Sequence, residues 1–250
     1  MKKTNYSKLL ITTINNKKMK KLNYTILAIG IAVCLFACKK SDNVYTSSGA
    51  INITNAIVGG GTLTFNGIMQ TISVNAYQTL PVNSGQQVIS LYVAGKPATA
   101  TAPAVPAIPY YTSSLNVSNG AFYSLFLSGT YPTVDSLTIK EQAPFLYSDS
   151  VYSVRFINLS QGGVPISVNI KGNANGSEAS SLSYKAYSTF ITHPAIRATP
   201  TYVFEFRNAT TGTLVTSYTL TTPYFHKVTL ALGGVVGGSP SPSVIRDNDY

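Results

Sequence analysis

From residue 50 onward, apolar residues recur at every second position in short runs, and Gly, Asn and Pro set the runs apart. Period two marks a strand whose two faces meet different surroundings. "AINITNA" places Ile51 and Ile53 on one face, and "TLTFNG" does the same with Leu63 and Phe65. "TISVNAY" offers Ile72, Val74 and Ala76, "YSLFLSG" Tyr123, Leu125 and Leu127, and "SLTIKE" Leu137 and Ile139. Further on, "VRFINLS" alternates Val154 and Phe156, and "PISVNIKG" alternates Ile166, Val168 and Ile170. "TYVFEFRN" sets Tyr202, Phe204 and Phe206 against Val203, Glu205 and Arg207, and "HKVTLALGG" lines up Val228, Leu230 and Leu232. No segment sustains helical spacing. The pattern predicts an all-β chain with Ile, Val, Leu and Phe in the cores and Thr, Ser and Asn mostly on outward faces.

The runs repeat in order. Phe65–Asn66–Gly67 corresponds to Ile170–Lys171–Gly172, and Leu125 and Leu127 to Leu230 and Leu232, each at an offset of 105. Ile139 corresponds to Ile245 at 106, and "NAYQTL" (75–80) matches "KAYSTF" (185–190). These offsets predict two tandem β-sandwich domains, residues 50–142 and 150–250, with a boundary near Gln142–Ser150 and each able to fold separately. The copies differ at one connection. Where the second turns through "RNATTGTL", the first carries "AGKPATATAPAVPAIPYY" (94–111). Proline cannot donate to a ladder, so this stretch reads as an inserted loop, either a spacer or a binding loop.

The chain begins differently. Residues 1–37 hold seven of the 18 Lys and Arg and none of the eight Asp and Glu. A basic stretch, an apolar stretch from Leu22 to Phe36 and small Ala37 form the layout of a cleaved signal peptide. The apolar stretch falls short of the roughly 20 residues of a spanning helix. Met19 opens a complete signal by itself, so residues 1–18 read either as a misassigned start, the favoured alternative, or as a long n-region. Without residues 1–37 the chain's formal +10 loses seven positive charges and becomes +3. The remaining basic residues are scattered, which argues against nucleic acid as a partner. Polar residues up to Gly49 read as a tether, giving 38–49 as lipidated Cys and linker.

Leu35, Phe36 and Ala37 before Cys38 resemble the lipobox of bacterial lipoproteins, a resemblance that implies acylation of Cys38 and anchoring in a membrane. Cys34 would be removed with the signal, so no disulfide framework is expected. The lipobox, "VRFINLS" opening a repeat, "LSYKAYSTF" and the closing "VIRDND" together resemble bacteroidete lipoproteins built from tandem Ig-like domains, the domain-of-unknown-function 4397 family. That resemblance covers about residues 45–250. It implies immunoglobulin- or transthyretin-like sandwiches and a lipid-anchored place in the outer membrane, at the cell surface or on the periplasmic face. It implies no catalytic residues.

Composition offers little chemistry. The chain has two histidines, His193 before a proline in an expected loop and His226 at a strand start. Neither has a Cys or carboxylate at ligand spacing, so no metal, no cofactor and no catalytic site are expected. Asp247 and Asp249 fall short of the six to eight oxygens calcium takes and read as a solvated tail. Gly-rich "VGGGT" and "LGGVVGGS" lack a phosphate loop's Lys-Ser/Thr, and no "GxSxG" elbow occurs. Trp is absent and Tyr reaches 17. Tyr110, Tyr111, Tyr123, Tyr131, Tyr147 and Tyr152 are either sugar-stacking rings or cross-strand packing, with Tyr110 and Tyr111 the candidate ligand contacts. "DSL" and "DSV" resemble the bacteroidete O-glycosylation sequon at Ser136 and Ser150, or else simply start turns. The sequence thus leads to a non-catalytic envelope protein with a glycan or protein partner. The alternative is a carbohydrate-binding accessory lipoprotein of a polysaccharide uptake system.

Overall fold

A computed structural model describes residues 48–250 except 67–69, 94–107, 143–150, 196–200, 222–226 and 249–250. The signal, Cys38, Tyr147, Ser150, His226 and Asp249 lie outside the described residues. The first repeat contributes β1 (Ser48–Asn55), β2 (Leu63–Phe65), β3 (Thr71–Ile72), β4 (Ala76–Asn83), β5 (Gly85–Val93), β6 (Ile108–Val117), β7 (Phe122–Thr130) and β8 (Thr133–Lys140). The second contributes β9 (Val151–Asn158), β10 (Ile166–Ile170), β11 (Ala179–Leu182), β12 (Ile191–Pro194), β13 (Thr201–Asn208), β14 (Leu214–Thr221), β15 (Lys227–Gly233) and β16 (Ser243–Asn248).

The two sets of strands are wired alike. Sheets of order β4-β1-β7-β8 and β3-β2-β5-β6 form one sandwich, and β12-β9-β15-β16 and β11-β10-β13-β14 form the other. In each, the first strand runs parallel to the seventh, with Ile53 opposite Leu125 and Phe156 opposite Leu230. Each sandwich fills its own core with the residues that alternation points inward. Ile51, Ile53, Leu63, Phe65, Tyr123, Leu125 and Leu127 pack in the first. Val154, Phe156, Ile166, Val168, Phe204, Phe206, Leu230 and Leu232 pack in the second. Each such side chain contributes about 1.5–3 kcal/mol when fully buried.

A buried asparagine closes the same corner in both copies. Asn55 donates to the carbonyls of Gly61 (3.0 Å) and Ile72 (3.3 Å), and its Oδ1 accepts from the Ile57 amide. Asn158 donates to Val164 (3.4 Å) and Leu182 (2.9 Å), and its Oδ1 accepts from the Ser160 amide. One side chain thereby satisfies three backbone groups where the chain leaves one sheet for the other. Asn75 and Lys185, matched in the sequence, are matched here too. Both have positive φ, and each donates its amide to the carbonyl of that corner asparagine. This turn splits the expected "TISVNAY" strand: β3 stops at Ile72 and Val74 is left exposed.

The register also corrects one pairing of the repeats. Phe126 faces Leu137 and its counterpart Ala231 faces Ile245, so Ile245 corresponds to Leu137 rather than to Ile139.

The outward faces of the first and seventh strands do not meet solvent. From Ile51 to Asn55, and throughout β15, every residue is buried. The sheets β4-β1-β7-β8 and β12-β9-β15-β16 turn these faces toward each other, and a third apolar cluster lies between them. Ala56, Phe126 and Ile139 of the first repeat join Ile157, Leu159, Ala231 and Ile245 of the second. Around it sit Asn52, Thr54, Ser124, Ser128, Arg155, Thr229 and Asp247, each 3% exposed or less. The expectation that Thr, Ser and Asn would be solvated fails along this seam, as does the placing of Leu137 and Ile139 in a sandwich core. Asp247 belongs to β16 and is fully buried, so it is no solvated tail. The result is four stacked sheets, with β3-β2-β5-β6 and β11-β10-β13-β14 outermost.

Candidate functional site

Tyr110 and Tyr111 lie in β6 rather than in a loop. Leu91 faces Tyr111 while Tyr92 faces Pro109, so Tyr110 is the extra residue of a β-bulge, the device by which strands re-aim a side chain. Its ring stacks on Tyr131 with centroids 4.6 Å apart and planes 17° from parallel. Tyr131 sits at the β7–β8 turn, anchored by its amide on the Val58 carbonyl (2.9 Å), and is 41% exposed. Burial, and then the Tyr131 phenol beside it, push the Tyr110 hydroxyl above its ordinary pKa. The pair presents a neutral Tyr110 and an exposed ring, apolar on its face and polar at its tip. Tyr111 is half-buried against the first core. Tyr123 is buried, its hydroxyl donating to the Asn116 carbonyl and accepting from the Ser118 amide, both at 3.2 Å. Tyr152 is wholly buried.

A cleft of about 390 Å³ opens at the rim of the seam. Arg155 forms its floor and holds Glu141 bidentately, at 3.0 and 2.8 Å. The same guanidinium donates to Thr229 Oγ1 at 3.1 and 2.9 Å and lies 4.6 Å from the Phe190 ring centroid. Lys227 lies 5.0 Å from that ring, and Tyr187, 48% exposed, borders the mouth. A fork-to-fork pair is geometrically demanding and strong. It joins the end of the first repeat to the start of the second. The sequence marked Arg155 only as part of a repeat-opening motif and Tyr187 only as a repeat match.

His193 lies in β12, not in a loop, opposite Tyr152 and stacked on it at 5.4 Å. A carboxylate does accompany it: Glu178 Oε2 is 3.1 Å from Nε2. Spacing could not show this, because Glu178 precedes β11 and His193 lies in β12, strands of the two different sheets of the second sandwich, so the pair meets only through the packing of one sheet on the other. Burial lowers the histidine's pKa and raises the glutamate's, favouring the uncharged form of each. Among the described residues no group of three or more His, Cys, Asp or Glu is placed to hold a metal. Ser136 is half-buried within β8. Its neighbour Asp135 accepts from Tyr184 (2.9 Å) and Lys185 (3.4 Å), across the seam.

No family model matches the chain, and no curated protein does. Among solved structures, it is similar to a family 26 carbohydrate-binding module from Eubacterium rectale, crystallised with maltoheptaose. The identity is 10%, the match covers 79% of this chain and 95% of that one, and the TM-score is 0.24. At that score the likeness carries no argument, and the fold stands on the sheets themselves.

Proposed function

We propose that this chain is a non-catalytic binding protein of a bacterial envelope, held in the outer membrane by lipid on Cys38 and akin to the tandem Ig-like lipoproteins it resembles. The seam is the observation that supports this reading. Two sandwiches fused back to back form a stiff spacer, with one outer sheet at each end for contact with a partner or matrix. The tether before Gly49 joins that body to the lipid. Two acyl chains give the stable attachment that one chain does not, at about 0.8 kcal/mol per buried CH₂. Cys38→Ala should release the protein from the membrane fraction and abolish its display, while the soluble chain still binds its partner. A mature chain beginning elsewhere, or a Cys38→Ala protein that stays with the membrane, overturns the anchor.

A glycan partner is the second reading, and the Tyr110–Tyr131 stack favours it. An exposed ring backed by a second ring is a rigid platform for the apolar face of a sugar. If the stack is the glycan platform, Tyr131→Ala should weaken glycan binding at least tenfold with the melting temperature unchanged. Equal binding by the variant removes the platform from the account.

A further inference from the structure

Alternation points Ser167 and Asn169 of β10 and Glu205 of β13 away from the second core, toward the outer face of the β11-β10-β13-β14 sheet. Yet these residues are only 2%, 2% and 9% exposed. The β10–β11 connection covers them. Gly172 and Gly176, with φ of 91° and 75°, turn it back over the sheet, and Ser167 donates to Asn175 Oδ1 at 3.0 Å. The β13–β14 hairpin forms the opposite wall, tied down by Arg207 Nη1 on the Gly212 carbonyl at 3.0 Å. Between them lies a bowl of about 520 Å³, lined by Asn169, Lys171, Asn173, Asn175, Glu205 and Arg207.

The floor is arranged rather than incidental. Asn169 Nδ2 donates to the Ile170 carbonyl and to Glu205 Oε2, both at 3.0 Å. Both partners are acceptors, so the amide orientation is fixed, and Oδ1 remains buried without a donor. Such an orphan acceptor calls for an explanation. Arg207 Nη2 also donates to Glu205 Oε2, at 2.8 Å, and Oε1 has no protein donor among the described residues. These hydrogen bonds, from Arg207 first and then Asn169, hold the Glu205 carboxyl below its ordinary range. The first repeat shows that the fold does not require this cluster. At the places of Asn169 and Glu205, its ladder pairs Thr64 with Tyr92.

A bare cation in the bowl would meet Lys171 and Arg207, and a bare anion would meet the Glu205 carboxylate. A hydroxyl suits both, because it donates to the carboxylate and accepts from the cations and amides. We propose that this bowl binds a sugar residue of a glycan through adjacent hydroxyls, with Glu205 as acceptor and Arg207, Lys171 and Asn173 as donors. The proposal rests on the reading of the chain as an envelope binding protein and gives that reading a ligand class.

The test uses the mature chain carrying Cys38→Ala, screened against neutral and uronic-acid oligosaccharides and then titrated with the best binder. Glu205→Gln should weaken binding at least tenfold. So should the exposed double variant Lys171→Ala/Asn173→Ala, with its melting curve unchanged, which guards against a folding defect in the first. Tyr131→Ala should leave this binding in place. A wild-type chain that binds none of the sugars, or bowl variants that bind like wild type, overturn the proposal. If Tyr131→Ala alone removes binding, the bowl is wrong and the tyrosine platform stands. If the chain takes a protein partner and no sugar, the bowl is wrong and the envelope reading stands.

Discussion

Asn52 in the first repeat donates its side-chain amide to the carboxylate of Asp247, 195 residues away in the second. Thr54 adds a hydroxyl to the other carboxylate oxygen at 2.7 Å. The position of Asn52 in β1 is held in β9 by Arg155, since one faces Ser124 and the other Thr229 across the parallel ladder. Arg155 in turn reaches back to Glu141 at the end of the first repeat. The first strand of each copy therefore meets the end of the other, as in a two-fold dimer whose subunits are joined in one chain.

Arg155→Ala should be among the most destabilising single changes. It leaves the Glu141 carboxylate 5% exposed and without its partner. Losing one member of a buried pair costs about 3–5 kcal/mol, whereas replacing both members with apolar residues is often close to neutral. Urea denaturation should show Arg155→Met/Glu141→Leu closer to wild type than Arg155→Ala. The reverse order would mean that the pair is solvated in solution.

Asp247 gives the seam a pH dependence of definite sign. Burial pushes its carboxyl up to about 6, against the opposing hydrogen bonds from Thr54 and Asn52. The folded chain thus holds this proton more tightly than the unfolded chain, whose carboxyl sits near its ordinary value of 3.8. The resulting stability is fully present below about pH 4 and is lost as pH rises through about 6. Asp247→Asn should flatten that slope and raise stability at pH 7.5 by on the order of 1–3 kcal/mol, at 1.36 kcal/mol per unit. His193, whose pKa burial lowers, acts with the opposite sign and is common to both proteins. A pH series of melting temperatures for the pair isolates Asp247; parallel curves would contradict its burial.

Alternation in the sequence identified the inner faces of the strands it named, but it named no run for β5, β11, β12 or β14 and read the start of β6 as loop. Ile51, Ile53, Phe156, Phe204, Phe206, Leu230 and Leu232 all face the cores it assigned them. It was silent about what lies against the other face. Asn52, Thr54, Ser124 and Ser128 read as solvent-facing because period two separates two faces and does not say whether the polar one meets water or protein. Two terminal carboxylates looked like a tail for the same reason. The stack on Tyr131 depends on a bulge at Tyr110, and bulges leave no signal in periodicity. The bowl depends on a loop folding back through Gly172 and Gly176, where the sequence shows only turn residues.

Phe126 carries the largest side chain of the third cluster and is wholly buried. Its counterpart in the second repeat is Ala231, so the two copies divide the seam's volume unequally. Phe126→Ala should cost about 3–5 kcal/mol through lost transfer energy and the cavity left behind. Val88, 59% exposed, serves as the control, and Val88→Ala should stay within about 0.5 kcal/mol. Chemical denaturation of both variants checks this. A Phe126→Ala protein as stable as the control would mean that the two sheets do not pack in solution.

The most direct test of the joined body is calorimetry of residues 44–250 beside fragments 44–142 and 150–250. Each fragment retains its own core but exposes its half of the seam. The intact chain should melt in one transition with equal calorimetric and van't Hoff enthalpies. Each fragment should melt more than about 10 °C lower, since each lost kcal/mol shifts a domain of this size by about 4–8 °C. Two transitions in the intact chain, each at its fragment's own melting temperature, would contradict the joined body and leave two independent sandwiches on a string.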